Sequence, residues 1–267
     1  MVLIWGPLYF SLYNLLEQRG KFPDDVELKS MFDLASSLVS FMRRETGFKW
    51  IFCEGSDDKL YLQTMLSAFK DLYIIPLGGC GNVIKLYQIL YGFIAEKSEE
   101  AKPDALFLID SDIQRVQVDE PIQYSGNKKS ITLKRLQIEK GEINLLNPTS
   151  GGTYQQTEME DCLNPEIYYR ALEKAIGSFG STALKRIFKK YELDPNKKRS
   201  ILRGDESCIR PTDIKYLDKK QDIIDFAEDN KYKYRIAEFY HELCSTQGKV
   251  NHPLAGLIEK QLGLERA

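Results

Sequence analysis

Apolar and polar positions alternate most regularly between residues 49 and 112. KWIFCE is a short apolar run that ends in an acid, Glu54. SDDKLYLQTMLSAF places Leu60, Leu62, Met65, Leu66 and Phe69 at helical spacing. LYIIPLGG reads as a second strand, and Asn82 opens a helix with Val83, Leu86, Ile89, Leu90 and Phe93 as its apolar stripe. ALFLIDSD is a third strand, apolar until it meets two aspartates. Strand, helix, strand, helix, strand predicts parallel βαβ units with both sheet faces covered.

The flanks read differently. Phe32, Leu34, Ala35, Leu38, Val39 and Met42 predict a helix that Arg43, Arg44 and Gly47 close. ITLKRLQI and EINLL flank Lys140-Gly141, which predicts a β-hairpin inserted after the third strand. Beyond Glu158 the candidates are helical: PEIYYRALEKAI, STALKRIFKKYEL, a run from Lys219 to Cys244, and HPLAGLIEKQL. The expected fold class is α/β, with a Rossmann-like parallel sheet core, a hairpin insertion and a C-terminal helical cap. The expected division is 1–48 as a lead-in or docking segment, 49–165 as the core, and 166–267 as the helical region.

Composition narrows the class. A 267-residue chain that is 43% hydrophobic has material for a packed core, which excludes a disordered or collagen-like protein. With 37 Lys and Arg against 39 Asp and Glu, the net charge is −2, so any polyanion binding needs a local patch. Five dispersed cysteines without a CxxC pair, and two histidines, argue against zinc and for a reducing, cytoplasmic setting. The apolar opening MVLIWGPLYFSLYNLL holds Pro7, Ser11 and Asn14 and reads as a buried segment, neither a signal peptide nor a membrane span.

In an open parallel sheet, ligands bind at the carboxyl ends of strands. There the reading places Glu54, with Asp58 one turn into the following helix, and Asp110 with Asp112. The loop Gly78-Gly79-Cys80-Gly81-Asn82 adds backbone N–H groups at a helix start. Crowded carboxylates call for a counter-charge, and oxygen-only donors suit Mg²⁺ or Mn²⁺. Two such ions could clamp a phosphodiester.

IFCEGSDD (Ile51 to Asp58) and ALFLIDSD (Ala105 to Asp112) resemble the Toprim domain of topoisomerases, primases and the overcoming-lysogenization-defect (OLD) nucleases. Asp58, the acidic group Glu158-Met159-Glu160-Asp161, and GKVNHPLA (Gly248 to Ala255) make the nuclease branch the nearer likeness. The resemblance implies metal binding by Glu54, Asp58, Asp110 and Asp112, a second site completed by Glu158 and Glu160, and Lys249 steadying the phosphate. It also implies a Mg²⁺- or Mn²⁺-dependent endonuclease, an ATPase partner or fused ATPase domain, and a role in bacterial defence against phage. No Walker A motif occurs in the chain. On structural grounds alone, Thr157 with Glu160 reads equally as a capping box, and Lys249 as a solvated lysine.

Residues 184–203 carry eight Lys and Arg against Glu192 and Asp194, a candidate nucleic-acid track with Phe188 and Tyr191 as stacking groups. A solvated helix face explains the same run. KYKYR (Lys231 to Arg235) is a second basic candidate, and Lys128, Lys129, Lys134 and Arg135 could flank the acids. DNA and RNA, including a structured RNA such as tRNA, remain open as substrates. Two alternatives stand beside the nuclease: a primase-like nucleotidyl transferase and a non-catalytic Rossmann-like module that binds a nucleotide through GGCGN.

Overall fold

The computed structural model describes residues 24–44, 47–94, 104–111, 130–148, 156–247 and 250–265. Helix α1 (Asp24–Arg44) leads into strand β1 (Lys49–Cys53), helix α2 (Ser56–Met65), strand β2 (Leu72–Pro76), helix α3 (Cys80–Phe93) and strand β3 (Ala105–Ile109). Strands β4 (Ile131–Glu139) and β5 (Glu142–Leu146) complete a five-stranded sheet in the order β2-β1-β3-β4-β5. β2, β1, β3 and β4 run parallel, and β5 alone is antiparallel. The fold is α/β with a mostly parallel sheet.

Why the strands read as unbroken apolar runs follows from what covers them. Successive side chains point to opposite faces. Trp50 and Phe52 enter a core with Phe107, Val83 and Leu86 and with Met31, Leu34, Ala35 and Leu38 of α1. Ile51 and Cys53 enter the other core, with Leu106, Leu108 and Leu62. That second core also takes Ile167 and Leu172 of α4 (Pro165–Phe179), Ile236 and Tyr240 of α7 (Asn230–Gln247), and Leu254 and Ile258 of α8 (Pro253–Leu262). The C-terminal helices are therefore one of the two layers on the sheet.

Three expectations need correction. The hairpin is no insertion: β4 pairs with β3 from Ala105↔Ile131 to Ile109↔Arg135, so it continues the sheet and β5 forms its edge. Phe32 and Phe93, expected in the apolar stripes, are exposed, because their helices turn the neighbouring residues inward. The segment STALKRIFKKYEL, read as one helix, is a short helix α5 (Thr182–Phe188) followed by strand β6 (Tyr191–Leu193), which pairs with β7 (Ile209–Pro211).

The run from Lys219 is also divided, and the division matters for the site. Helix α6 (Lys220–Glu228) stops at Asp229, whose Oδ1 accepts from Lys231 N at 2.9 Å and so caps α7. This break aims the first turn of α7 at the carboxyl ends of β1 and β3. Among the described residues no helix is long and apolar enough to cross a membrane.

Candidate active site

Glu54 leaves the end of β1, and its backbone and side chain both organise the surroundings. Its carbonyl accepts from Gly78 N at 2.8 Å and Gly79 N at 3.0 Å, and its Oε1 accepts from Asp110 N at 2.9 Å. Gly78 and Gly79 take φ of 76° and 120°, which L side chains rarely adopt. The Gly-rich loop was expected to offer N–H groups to an anion; two of them instead fasten β2 to β1. Gly55 lies close to the next acid. A Cβ there would lie 2.2 Å from Asp57 Oδ1. Its N–H donates to Asp58 Oδ2 at 2.8 Å, fixing Asp58 at the start of α2.

A second chain segment joins β3. Ser111 N donates to Thr157 O at 2.9 Å and Thr157 N returns a bond to Ser111 O at 3.0 Å. Thr157 Oγ1 accepts from Ile138 N, tying the segment to β4 as well. The 3₁₀ turn Met159–Cys162 follows, with Glu158 N donating to Asp161 Oδ2 at 2.9 Å. Thr157 and Glu160 thus form no capping box: Glu158 and Asp161 do. Ser200 Oγ donates to the Glu160 carbonyl and holds the turn from outside.

These pieces enclose a cleft of about 640 Å³. Glu54, Asp57, Asp58, Asp110 and Glu160 line it on the acidic side, and Asn230, Lys233 and Tyr234 of α7 line it from across. Burial pushes the Asp58 and Asp110 carboxyls well above the usual range, and the negative charges of Asp57, Glu160 and Glu54 around them add to the rise. Glu160 is pushed up to about 7, again chiefly by burial, although Lys233 pulls the other way. Among the described residues no ion pair reaches Asp58 or Asp110.

Behind the cleft the acids are answered by cations. Arg203 Nη1 lies 3.0 Å from Glu158 Oε1 and Arg203 Nη2 lies 3.2 Å from Asp161 Oδ2. Lys233 Nζ is 3.0 Å from Glu158 Oε2 and 3.6 Å from Glu160 Oε1. Burial works to raise Glu158, but Lys233 and Arg203 outweigh it and leave the carboxyl below its ordinary value. Burial works to lower Lys233, and the Glu160 and Glu158 charges overcome it and raise the ammonium pKa.

Of the expected site residues, the fold brings Glu54, Asp58, Asp110 and Glu160 to one cleft. Glu158 sits beside it, in a salt-bridge network. Asp112 and Lys249 lie outside the described residues, as do Lys128 and Lys129. Asp57 and Lys233 were missed. Asp57 adjoins Asp58 in SDD, and Lys233 stands in KYKYR, read as a second basic candidate for nucleic acid and not as a partner of the acids.

The basic run 184–203 is corrected in part. Phe188 and Tyr191 are buried, at 4% and 3% exposure, and cannot stack on bases. Arg199 pairs with Glu142, Lys197 with Glu206, and Arg203 with the acids above. Arg186, Lys189 and Lys190 remain exposed. Lys134 donates to Asn147 Oδ1 at 2.7 Å, and Arg135 is fully buried; neither lines the cleft. Both histidines are structural: His241 Nδ1 meets Thr64 Oγ1 at 2.9 Å and His252 Nδ1 meets the Tyr240 hydroxyl at 3.2 Å.

Compared with family models, characterised proteins and solved structures, the chain matches none. Its chemistry must be argued from the cleft. The donors there are carboxylate oxygens, the kind that hard divalent cations take. Among the described residues, Glu160 Oε1 is buried without a hydrogen-bond partner, and only Lys233, at 3.6 Å, answers its charge within ion-pair range. The donor set therefore fits such a cation, although among the described residues no three acidic, histidine or cysteine side chains are already gathered into a cage.

Proposed function

We propose that this chain is a Mg²⁺- or Mn²⁺-dependent nuclease of Toprim type, nearest in pattern to the OLD branch, hydrolysing phosphodiester bonds in DNA or RNA. One observation carries the reading: Glu54, Asp58 and Asp110, which end or follow parallel strands β1 and β3, line a single cleft with Asp57 and Glu160. Oxygens of Glu54, Asp58, Asp110 and Glu160 would hold the cations, with Asp112 as the expected further ligand. The chemistry supplied by a bound cation is Lewis-acid activation of water and neutralisation of charge on the phosphate.

The chain's own groups supply the rest. The buried carboxylates concentrate negative potential that draws a cation and keeps a naked phosphate away. The α7 wall presents Lys233, Asn230 and Tyr234 as donors for phosphate oxygens, with the positive end of an 18-residue helix behind them. Exposed Arg186, Lys189 and Lys190 supply the remaining phosphate contacts along a nucleic acid. The engagement of Gly78 and Gly79 N–H groups with Glu54 favours this reading over a nucleotide held by the Gly-rich loop. An ATPase partner and a role in phage defence in the bacterial cytoplasm belong to the same proposal through the sequence resemblance.

The test is incubation of the full chain with plasmid, single-stranded DNA and total RNA in Mg²⁺ or Mn²⁺, alone and with any ATPase encoded beside it. Cleavage that needs the cation and disappears in Glu54→Ala supports the proposal. Cation-independent cleavage, or an undiminished Glu54→Ala protein, overturns it.

A further inference from the structure

We infer that Lys233 is a built-in competitor of the divalent cation, holding the Glu160 side of the cleft until a cation displaces its ammonium toward the substrate phosphate. The inference rests on the metal-dependent reading above and deepens it, because it names how cation binding is regulated. Its basis is an asymmetry between the two carboxylates that Lys233 touches.

Glu158 is doubly answered. Its Oε2 lies 3.0 Å from Lys233 Nζ, while its Oε1 lies 3.0 Å from Arg203 Nη1 and accepts from Gln156 at 3.2 Å. If Lys233 leaves, Glu158 keeps a guanidinium. Glu160 has no such reserve. Among the described residues its Oε1 is buried with no hydrogen-bond partner, and the ammonium at 3.6 Å is too distant for more than charge attraction. The same carboxylate lines the cleft with Asp58 and Asp110.

A divalent cation held by Glu160 would bring two further positive charges close to that ammonium. Like charges a few ångströms apart in a half-buried site repel strongly, so the two cannot share the carboxylate. Lys233 is placed to yield. It is the fourth residue of α7, its side chain is 23% exposed, and it borders the open cleft beside Asn230 and Tyr234. Arg203 is not so placed, being held by Glu158, Asp161 and Glu228 behind the cleft. Linkage then requires reciprocity: whatever the ammonium subtracts from cation affinity, the cation subtracts from the Lys233 ion pairs.

Two measurements on the full chain test this. Calorimetric titration with MnCl₂ should show roughly tenfold tighter binding in Lys233→Met, the scale usual for such coupling, while Lys233→Arg stays near wild type. In the wild-type protein, amine-directed labelling read by mass spectrometry should show Lys233 becoming severalfold more reactive in saturating Mn²⁺, with exposed Lys231 as internal reference. Unchanged or weaker affinity in Lys233→Met, or Lys233 labelling indifferent to Mn²⁺ that demonstrably binds, overturns the inference and leaves the metal site standing. Absence of Mn²⁺ binding to both proteins removes the metal site itself, and this inference with it.

Discussion

Two groups of acids lie side by side in this protein and are treated in opposite ways. At the strand ends, Asp58 and Asp110 sit among other carboxylates, backbone N–H groups bond to Asp58 and Glu54, and among the described residues no ion pair reaches Asp58 or Asp110. One turn away, Glu158 and Asp161 are held by Arg203, and Glu158 also by Lys233. The second arrangement is what a fold does with acids it needs for structure, since a buried charge without a partner costs several kcal/mol. The first crowds carboxyls together in a cleft, where burial and mutual repulsion disfavour their ionised forms, a stability cost that suits a site prepared for a cation. Glu160 stands between the two, sharing the cleft with one group and Lys233 with the other.

The sharpest way to break the contrast is to neutralise one member of each group. Asp110→Asn should lower cation-dependent cleavage by at least about 100-fold, the scale of losing a group that acts in the transition state. Initial rates at saturating Mn²⁺ check this, and a loss under about fivefold would place Asp110 outside the machinery. Arg203→Met should instead act on stability, costing about 2 kcal/mol by leaving Glu158 and Asp161 with less compensation. Urea denaturation measures it, with a neutral result placing Arg203 among surface ion pairs of little worth.

Stability should respond in reverse at the strand ends. In chelator, Asp110→Asn should gain about 1 kcal/mol, because a carboxyl held above its usual range is replaced by a neutral amide. A loss of stability would mean that Asp110 anchors the fold rather than serving a ligand.

The smallest expected effect is a pH trend. Glu160 titrates near 7 in the fold against an ordinary 4.5, so folding takes up a proton between those values. Its contribution therefore favours the folded state below about pH 4.5 and is lost as pH rises through about 7. Asp58, Asp110 and Asp161, the last pushed up to about 6 chiefly by burial, act in the same direction, whereas Glu158, held below its ordinary value, acts oppositely and at more acid pH. In chelator, the melting temperature should thus fall by a few degrees between about pH 5 and pH 8, and less so in Glu160→Gln. A profile identical in the two proteins would mean that Glu160 is already compensated.

Much of the framework was legible beforehand because it is written locally. Trp50 to Cys53 and Ala105 to Ile109 are too short and too apolar for anything but buried strands, and Glu54 and Asp110 follow them covalently. Elsewhere one sequence pattern admits two surroundings. Tyr191 and Phe188 sit in a strongly basic run, yet their rings fill the core beneath it. The hairpin around Lys140-Gly141 was recognisable as a hairpin, but not as the sheet's continuation, since pairing with β3 depends on residues more than 20 positions away.

By itself, then, the sequence determined the alternation of strands and helices and the acids that cap β1 and β3. Periodicity and covalent adjacency fix those, and both are readable from neighbouring residues. Tertiary structure alone decided which cation faces which acid. Lys233 is 75 residues from the Glu158 it pairs with, and Arg203 is 45 residues away. Its alternating run KYKYR looks uniform until α7 turns Lys233 into the cleft and Tyr232 onto Phe226, with ring centres 4.3 Å apart. Charge pairing over such distances depends on how helices pack, and helix packing leaves no mark on the few residues around a single lysine.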